Sequence, residues 1–256
     1  MTRELVDALV TLPLRERLAM RLVPSALYYR RRLADEAEWG EHELDVLSEI
    51  MAPGGTAVDV GANQGFFAYA FASIAARVEA FEPNPDYAAF ARAMLGSRAR
   101  VHAVALSNRS GTAQFVVPVS EQGMALHLGG SLKAGAAEQG PAQRFQVEVR
   151  TLDSYGLRDV RAVKVDVEGS EMEVLEGGRE TILRDRPALI VELLTGAHAD
   201  PVAVAEAICA TYGYAAWLVT KDRQRIEALP AIRALGSNTT WGSPIRNRNV
   251  LFLPRR

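Results

Sequence analysis

The chain has 256 residues but only one cysteine, Cys209, and four histidines that are scattered along the sequence. A single cysteine excludes an internal disulfide framework and a cysteine zinc cluster, and it is typical of a reducing compartment. The chain also has no large excess of one charge, since it contains 29 Lys and Arg and 31 Asp and Glu. With a net charge of −2, no nucleic-acid partner is expected.

Long hydrophobic runs are also lacking. The longest nearly apolar stretch, residues 66–76, is far shorter than the roughly 18 residues of a membrane span. The amino-terminal residues carry charges where a secretory signal would be apolar. The sequence therefore predicts a cytoplasmic protein without a transmembrane segment. Hydrophobic residues nevertheless make up 48% of the chain, which is enough to bury a large core.

Short apolar runs alternate with helical stretches from residue 53 onward. The runs that predict buried strands are 57–60, 78–81, 101–106, 162–167 and 189–193. This alternation is typical of a parallel sheet with crossover helices on its faces. Residues 1–52 carry helical patterns instead, including one at 41–51, so we expect an N-terminal helical extension over 1–52 and the main domain over 53–256. A basic tract in the extension, at 30–32, favours a solvated helix end, with a contact for a phosphate or a partner as the alternative.

Local signals indicate where several helices begin. Asn84 and Asp200 each precede a proline, the arrangement of an N-cap followed by the first helical residue. Ser170 and Glu173 have the spacing of a capping box, so another helix is expected directly after the strand at 162–167. Asp166 is therefore expected at the carboxyl end of a strand.

Other segments interrupt the regular alternation. Additional strands are predicted at 114–117, 145–151 and 250–253. Residues 120–143 are rich in Gly, Ala, Ser and Gln and have little core-forming content. Loops of this length in compact domains are usually functional or disordered. We expect a mobile loop there, which is either a substrate cover or an inert insertion.

A glycine-containing turn follows the first predicted strand, in residues 58–65 (VDVGANQG). Glycines allow the backbone to approach a ligand closely, and free amides at the start of the next helix favour groups rich in acceptor oxygens. The spacing of Gly61 and Gly65 lacks the third glycine of a dinucleotide fingerprint, and no Walker lysine follows. The turn predicts a nucleotide or nucleoside cofactor, with a plain tight turn as the alternative.

A carboxylate stands at the end of the next predicted strand. Glu82 lies seventeen residues beyond Gly65, close to the separation of about 20 residues at which an acid binds the ribose in dinucleotide sites. The same geometry serves any ribose held in that crevice. The alternative is a surface glutamate at a strand end.

Three charged residues alternate with apolar ones in the segment Lys164, Asp166 and Glu168. Residues two apart in a strand share a face, so these side chains are expected on one side. An acid at the carboxyl end of a parallel sheet can act on a bound substrate. The alternative for all three is a structural ion-pair network.

An ordered set of segments resembles the FkbM family of methyltransferases. The segments are 58–65, 81–84 (FEPN), 105–107 (ALS), 151–153 (TLD), 164–169 (KVDVEG) with Glu171, and 191–192 (VE). The resemblance covers about residues 45–195, with a weaker match at 249–254. It implies a Rossmann-like class I methyltransferase fold, an α/β fold with a mostly parallel central sheet and helices on both faces. It also implies S-adenosylmethionine as methyl donor, S-adenosylhomocysteine as product, and a hydroxyl of a sugar, lipid or secondary metabolite as acceptor.

The resemblance also assigns roles to individual residues. The residues implied around the methionine portion of S-adenosylmethionine are Asp59, Gly61, Ala62, Asn63 and Gly65. Glu82, with Pro83, is implied at the ribose. Ala105, Leu106 and Ser107 are implied beside the adenine. Asp166 would face both cofactor and acceptor, and it is the first candidate for the catalytic acid. Glu168 is the second, and Glu192 is a further candidate.

Several alternatives remain open from the sequence. His127 or His198 could be the base, although each is more simply a surface or loop residue. A divalent cation held by Asp166, Glu168 and Glu192 could orient the acceptor, but it is not favoured. The rival functions are a nicotinamide-dependent oxidoreductase and a non-catalytic cofactor- or partner-binding protein. The expected partner is a small-molecule or glycan acceptor with a hydroxyl, and a homo-oligomer is left open.

Overall fold

The computed structural model describes residues 14–118, 142–193, 198, 200–235 and 249–255. Two helices come first, α1 (Leu14–Leu22) and α2 (Ser25–Trp39), and a 3-10 helix (His42–Val46) leads into the short helix α3 (Leu47–Ile50). The helical segment predicted over 41–51 is therefore present, but it is divided into two helices. Val46 leaves the helical conformation, with φ −118° and ψ 10°, and thereby divides it.

Helices and strands alternate through the rest of the described chain. The strands are β1 (Thr56–Val60), β2 (Arg77–Phe81), β3 (Arg100–His102), β4 (Ala105–Leu106), β5 (Gly111–Pro118), β6 (Ala142–Arg150), β7 (Val160–Val165), β8 (Ala188–Glu192), β9 (Tyr214–Val219), β10 (Arg225–Glu227) and β11 (Asn249–Pro254). The helices are α4 (Phe66–Phe71), α5 (Pro85–Leu95), α6 (Glu171–Gly177), α7 (Arg179–Asp185), α8 (Pro201–Tyr212) and α9 (Ala228–Leu235).

The main sheet has the strand order β10-β9-β11-β8-β7-β1-β2-β3. Strands β3, β2, β1, β7 and β8 pair in parallel, whereas β11 runs antiparallel to both β8 and β9. This arrangement confirms the predicted mostly parallel sheet. The strand order reverses at β1, which has β2 on one side and β7 on the other. Ligands of such sheets bind outside the carboxyl ends of the strands at this switch point.

The strand predicted over 101–106 is instead two strands in different sheets. β3 stays beside β2, while β4 pairs with β6 in a three-stranded sheet of order β4-β6-β5. The division occurs at residues 103–104. Before it, the carbonyl of His102 accepts the N–H of Glu82 at the end of the main sheet; after it, β4 pairs with β6. The strands predicted at 114–117, 145–151 and 250–253 are confirmed as β5, β6 and β11.

Other boundaries differ from the prediction. The strand predicted over 162–167 ends at Val165, and β9 and β10 were not predicted. The mobile loop predicted at 120–143 lies outside the described residues, except for 142 and 143, which belong to β6.

The expected helix caps are present at two of three places. Asn84 accepts the N–H of Asp86 at 3.0 Å, and Asp200 accepts the N–H of Ala203 at 2.9 Å. The capping box at Ser170 and Glu173 is wrong, since Ser170 makes no side-chain cap bond. The turn before α6 is tied down instead by Glu171.

The core lies on both faces of the main sheet. On one face, Tyr28 and Tyr29 of α2 belong to the same apolar cluster as Ala57 of β1 and Phe71 of α4. The division into an extension over 1–52 and a domain over 53–256 stays a prediction. Tyr29 of α2 packs on Phe66 and Tyr69 of α4. Among the described residues, no helix combines the length and hydropathy that a membrane crossing needs.

Candidate active site

The glycine turn follows β1 at the switch point of the sheet. Gly61 has φ 77°, and the N–H groups of Gly61 and Ala62 both donate to the carbonyl of Phe81, at 2.9 and 3.0 Å. A Cβ on Gly61 would overlap the carbonyl oxygen of Asp166. Only glycine fits here, because the chain leaving β7 passes directly against the turn.

We expect Gly61→Ala to destabilise the fold strongly. The added methyl meets backbone that cannot move aside, and the left-handed conformation adds about 1 kcal/mol or more of strain. Gly156→Ala is the matched control, since Gly156 also has a positive φ of 59° but open space around it. Urea unfolding should give a loss at least about 2 kcal/mol larger for Gly61→Ala. Equal losses would contradict the proposed overlap.

Glu82 joins the glycine turn to the turn after β2. Its Oε2 accepts the N–H of Asn63 at 2.7 Å, and its Oε1 accepts the N–H of Asn84 at 2.8 Å. Burial raises its pKa to about 7, against the opposing effect of these two bonds. A carboxylate has about four lone-pair sites, so two remain for other donors. This is the acceptor set that a pair of ribose hydroxyls needs.

Asp59 lies beneath the turn and is 2% exposed. Its Oδ2 accepts the N–H of Ala68 in the first turn of α4 at 2.8 Å, and burial raises its pKa to about 7. Asp59 thus fastens α4 to β1, and through α4 it fixes the turn. Its predicted contact with the cofactor would be indirect.

The N-terminal helices hold Gln64, the residue before Gly65. Tyr28 donates to its side-chain oxygen at 2.6 Å, and Tyr29 donates to its backbone carbonyl at 2.8 Å. Its amide nitrogen donates to Glu16 at 3.3 Å. Our sequence reasoning missed this contact. The adjacent tyrosines were the available signal, because two buried tyrosines require hydrogen-bond partners.

The chain beyond β7 brings Lys164 and Asp166 together. The Nζ of Lys164 lies 3.3 Å from Asp166 Oδ2 and 5.2 Å from the ring centre of Phe67, and Lys164 is 1% exposed. Burial opposes its charge, but the carboxylates of Asp166 and Glu41 are strong enough to raise the pKa of Lys164 above its ordinary value. The buried ammonium stabilises negative charge on Asp166.

Three carboxylates meet at the carboxyl edge of the sheet. One oxygen each from Asp166, Glu168 and Glu192 lies within 4.8 Å of the others. Glu168 reaches the cluster from a turn with φ 53° rather than from a continuing strand. Burial and the neighbouring Asp166 raise the pKa of Glu192 well above its ordinary value. A cluster of carboxylates can accept a proton from a hydroxyl group or bind a cation.

Glu171 fixes the turn that carries Glu168. Its Oε1 accepts the N–H of Gly169 at 2.9 Å and that of Val167 at 3.4 Å. Its Oε2 lies 2.6 Å from Nε2 of His198. The Nε2 atom of His198 is therefore in contact with the carboxylate of Glu171. The other histidine considered as a base, His127, lies outside the described residues.

A buried polar layer adjoins Glu192 on the side of the N-terminal helices. Asn249 of β11 pairs with Glu192 of β8 and donates from its side chain to Glu41 and, at 3.0 Å, to Glu43. Burial and then Glu41 raise the pKa of Glu43 to about 8. The sequence analysis did not single out Glu41 or Glu43, because no local pattern indicates that residues 41–43 reach a strand more than 200 positions away.

The raised pKa of Glu43 predicts how stability depends on pH. The folded chain binds this proton up to about pH 8, whereas an unfolded glutamate releases it near its ordinary pKa of 4.5. The free energy of unfolding should thus fall by about 1.4 kcal/mol per pH unit from this group as the pH rises across that window.

Urea unfolding between these pH values measures the slope. Asp59 and Glu82 add slopes of the same sign, because their pKa values are also raised. Glu43→Gln should flatten the profile, and Glu49→Gln, at an exposed position of α3, should leave it unchanged. An identical profile for the two variants would refute a protonated Glu43.

The residues predicted beside the adenine have other partners in the structure. Ala105 and Leu106 are buried in β4, and the N–H of Ser107 donates to the carbonyl of Arg150 in β6 at 2.9 Å. Pro83 is partly exposed next to Glu82. The turn, Glu82 and the acid cluster thus share one edge of the main sheet, while 105–107 belong to the smaller sheet. The adenine role stays a prediction.

The strand order and this crevice define a Rossmann-like methyltransferase fold. The Methyltransferase FkbM domain matches residues 59–212. The chain belongs to the FkbM methyltransferase family, as the resemblance in the sequence predicted.

Two similar proteins illustrate this relationship. The crystal structure of methyltransferase FkbM from Methylobacillus flagellatus KT aligns with a TM-score of 0.50 and 14% identity, over 98% of this chain and 58% of that one. The 2-O-methyltransferase NoeI of Sinorhizobium fredii is 32% identical over 157 residues, which are 55% of this chain and 64% of that protein. The matches therefore span less than two thirds of each relative's length.

Proposed function

We propose that this chain transfers a methyl group from S-adenosylmethionine to a hydroxyl oxygen of a small-molecule or glycan acceptor. One observation carries the proposal: Glu82 and the glycine turn meet at the same sheet edge as the cluster of Asp166, Glu168 and Glu192. Family membership supports methyl transfer, and the name of the relative NoeI, a 2-O-methyltransferase, supports oxygen as the methylated atom. A cytoplasmic location and a homo-oligomeric state stay predictions.

The residues of the crevice fit this cofactor. Glu82 lies beside the glycine turn and keeps acceptor capacity for two ribose hydroxyls. When bound, S-adenosylmethionine supplies an electrophilic methyl group on a positively charged sulfur. The turn binds the cofactor, and its contacts with α2 through Gln64 keep it in one conformation.

Asp166 is the proposed proton acceptor. Methyl transfer needs the acceptor oxygen in line with the methyl group, and the hydroxyl proton has to leave. The ammonium of Lys164 keeps Asp166 charged and so able to take that proton. Glu168 and Glu192 then hydrogen-bond the acceptor and orient it. A general base contributes about 10² to 10⁴ in rate, and positioning contributes the rest.

A divalent cation bound by the three carboxylates is a second way to orient an acceptor. Their oxygens lie close enough to share one ion. The ammonium of Lys164 already offsets the charge of Asp166, however, so the proposal does not depend on a metal. Methyl transfer that persists in the presence of a chelator would show that the carboxylates act without a metal. Loss of transfer would show that they act through a bound cation.

Calorimetric titration with S-adenosylhomocysteine tests the cofactor, with NADH titrated in parallel. We expect micromolar binding of S-adenosylhomocysteine and none of NADH. The opposite result would establish the nicotinamide alternative, and binding of neither would support a non-catalytic protein. Transfer of a labelled methyl group to a panel of polyhydroxylated acceptors, with product analysis of the methylated atom, then tests O-methylation.

A further inference from the structure

Large apolar side chains are exposed at the corner between α1 and α2. Leu18 is 46% exposed, Leu22 is 73% exposed and Leu27 is 57% exposed. In the described residues only two other large hydrophobic side chains, Leu183 and Ile226, are comparably exposed. Single exposed leucines are common on protein surfaces, whereas a cluster within ten residues indicates an interaction site.

The same corner is strongly basic. Residues 14–34 contain six arginines and one acid, Glu16, although the whole chain has a net charge of −2. Acids follow only at the far end of α2, where Asp35 and Glu36 pair with Arg32. Glu16 points inward to Gln64 and is 8% exposed. The basic residues that are exposed there are Arg15, Arg21, Arg30 and Arg31. The outer surface of the corner is therefore cationic where the rest of the chain is acidic.

The helical spacing separates this surface from the core. In α1, Leu18 and Leu22 are one turn apart and face outward, while Ala19 is buried. In α2, Leu27 and Arg30 face outward, while the buried tyrosines at 28 and 29 face the core. The inner side of each helix thus packs on the domain, and the outer side carries leucine beside arginine.

We propose that this corner surface, formed by Leu18, Leu22, Leu27, Arg15, Arg21, Arg30 and Arg31, docks on an anionic lipid bilayer. Leucines at a protruding corner can enter the headgroup region without a matching pocket, and the arginines keep their charge at the level of the phosphates. Because of the arginines, an anionic surface should bind more tightly than a neutral one. Because of the leucines, a bilayer should bind more tightly than a partner that offers charge alone. The proposal is independent of the proposed function.

Docking would act on the same helices that hold the cofactor turn. Tyr28 and Tyr29, on the inner side of α2, contact Gln64, and Leu27 lies on its outer side. A bilayer bound at the corner would therefore fix the orientation of the catalytic crevice relative to the membrane. Acceptors presented at a membrane surface would benefit from this orientation.

Vesicle co-sedimentation of the full chain tests the proposal. We expect binding to phosphatidylcholine vesicles that contain about 30 mol% phosphatidylglycerol, weak binding to phosphatidylcholine alone, and a marked loss in about 0.5 M salt. Arg30→Glu with Arg31→Glu should lower the partition coefficient by more than about fivefold per residue. Leu22→Glu with Leu27→Glu should abolish binding.

Matched variants control for nonspecific effects. Leu183→Glu makes the same apolar-to-acidic change on α7, and Arg100→Glu with Arg109→Glu reverses two exposed arginines elsewhere; both should bind like the unaltered chain. An unchanged midpoint of urea unfolding in every variant verifies the fold. Equal binding to neutral vesicles, no binding to either, or equal losses in the controls would overturn the proposal. So would leucine variants that only convert a dimer to a monomer, since the surface would then bind a second copy of the chain.

Discussion

Replacing Glu82 by alanine is expected to weaken S-adenosylhomocysteine binding by about tenfold or more. Hydrogen bonds to a charged acceptor are worth about 1.5–3 kcal/mol each, and the variant loses those to the ribose. It also releases the N–H groups of Asn63 and Asn84, which Glu82 now holds in place. Calorimetry gives the change in Kd directly.

The same titration repeated at several pH values adds a second readout. Because burial raises the pKa of Glu82 to about 7, the charged acceptor forms as the pH rises through that value, and affinity should rise with it. Glu79→Ala is the matched control, since it removes another buried carboxylate of β2, which pairs with His102. The control should lose stability and keep its Kd. An unaltered Kd in Glu82→Ala would exclude the ribose role.

Asp166→Asn is expected to lower kcat by about 10² to 10⁴ while changing the Kd for S-adenosylhomocysteine less than about threefold. Asparagine keeps the shape and most hydrogen bonds of aspartate but cannot take up the hydroxyl proton. It also removes the nearest negative partner of Lys164. Initial rates with a saturating acceptor, combined with calorimetry, separate the two effects.

Parallel variants distinguish the members of the acid cluster. Glu168→Gln and Glu192→Gln should mainly raise the KM for the acceptor, because these groups orient it and do not take its proton. Asp159→Asn makes the identical change at the opposite end of β7, where Asp159 is paired with Arg161, and it should leave kcat unaltered. If Asp166→Asn retained its turnover while Glu168→Gln lost it, the proton acceptor would be Glu168.

Much of the sheet could be predicted because local patterns suffice for it. Continuous apolar runs mark strands buried on both faces, and β1, β2 and β8 lie where those runs indicated. The caps at Asn84 and Asp200 depend only on neighbouring backbone groups, so they too were predictable. The run at 101–106 has no local signal for its division, since the choice between two sheets depends on pairing with β6, about 40 residues away.

The capping box at Ser170 failed for a related reason. The helix begins directly after Ser170, as the spacing of Ser170 and Glu173 predicted, but the Ser170 side chain makes no cap bond, and the turn before the helix is held by Glu171, with two turn amides and His198 as partners. Contacts of this kind are visible only when all the partners are positioned. Lys164 and Asp166 lie on one side, as predicted. The strand continues almost to Asp166, so the alternation of side chains along a strand still applies there.

Short sequence patterns were enough to predict the glycine turn at the end of β1, the acid at the end of β2 and the acids after β7, because each pattern consists of residues close together along the chain. The order of several such patterns indicated the family. The sequence did not indicate that Asn249 pairs with Glu192 and bonds Glu43, or that two tyrosines of α2 hold Gln64, because these contacts join segments far apart in sequence. Nor did it indicate which leucines and arginines of α1 and α2 are exposed, since burial, which also shifts pKa values, is a property of the packed chain.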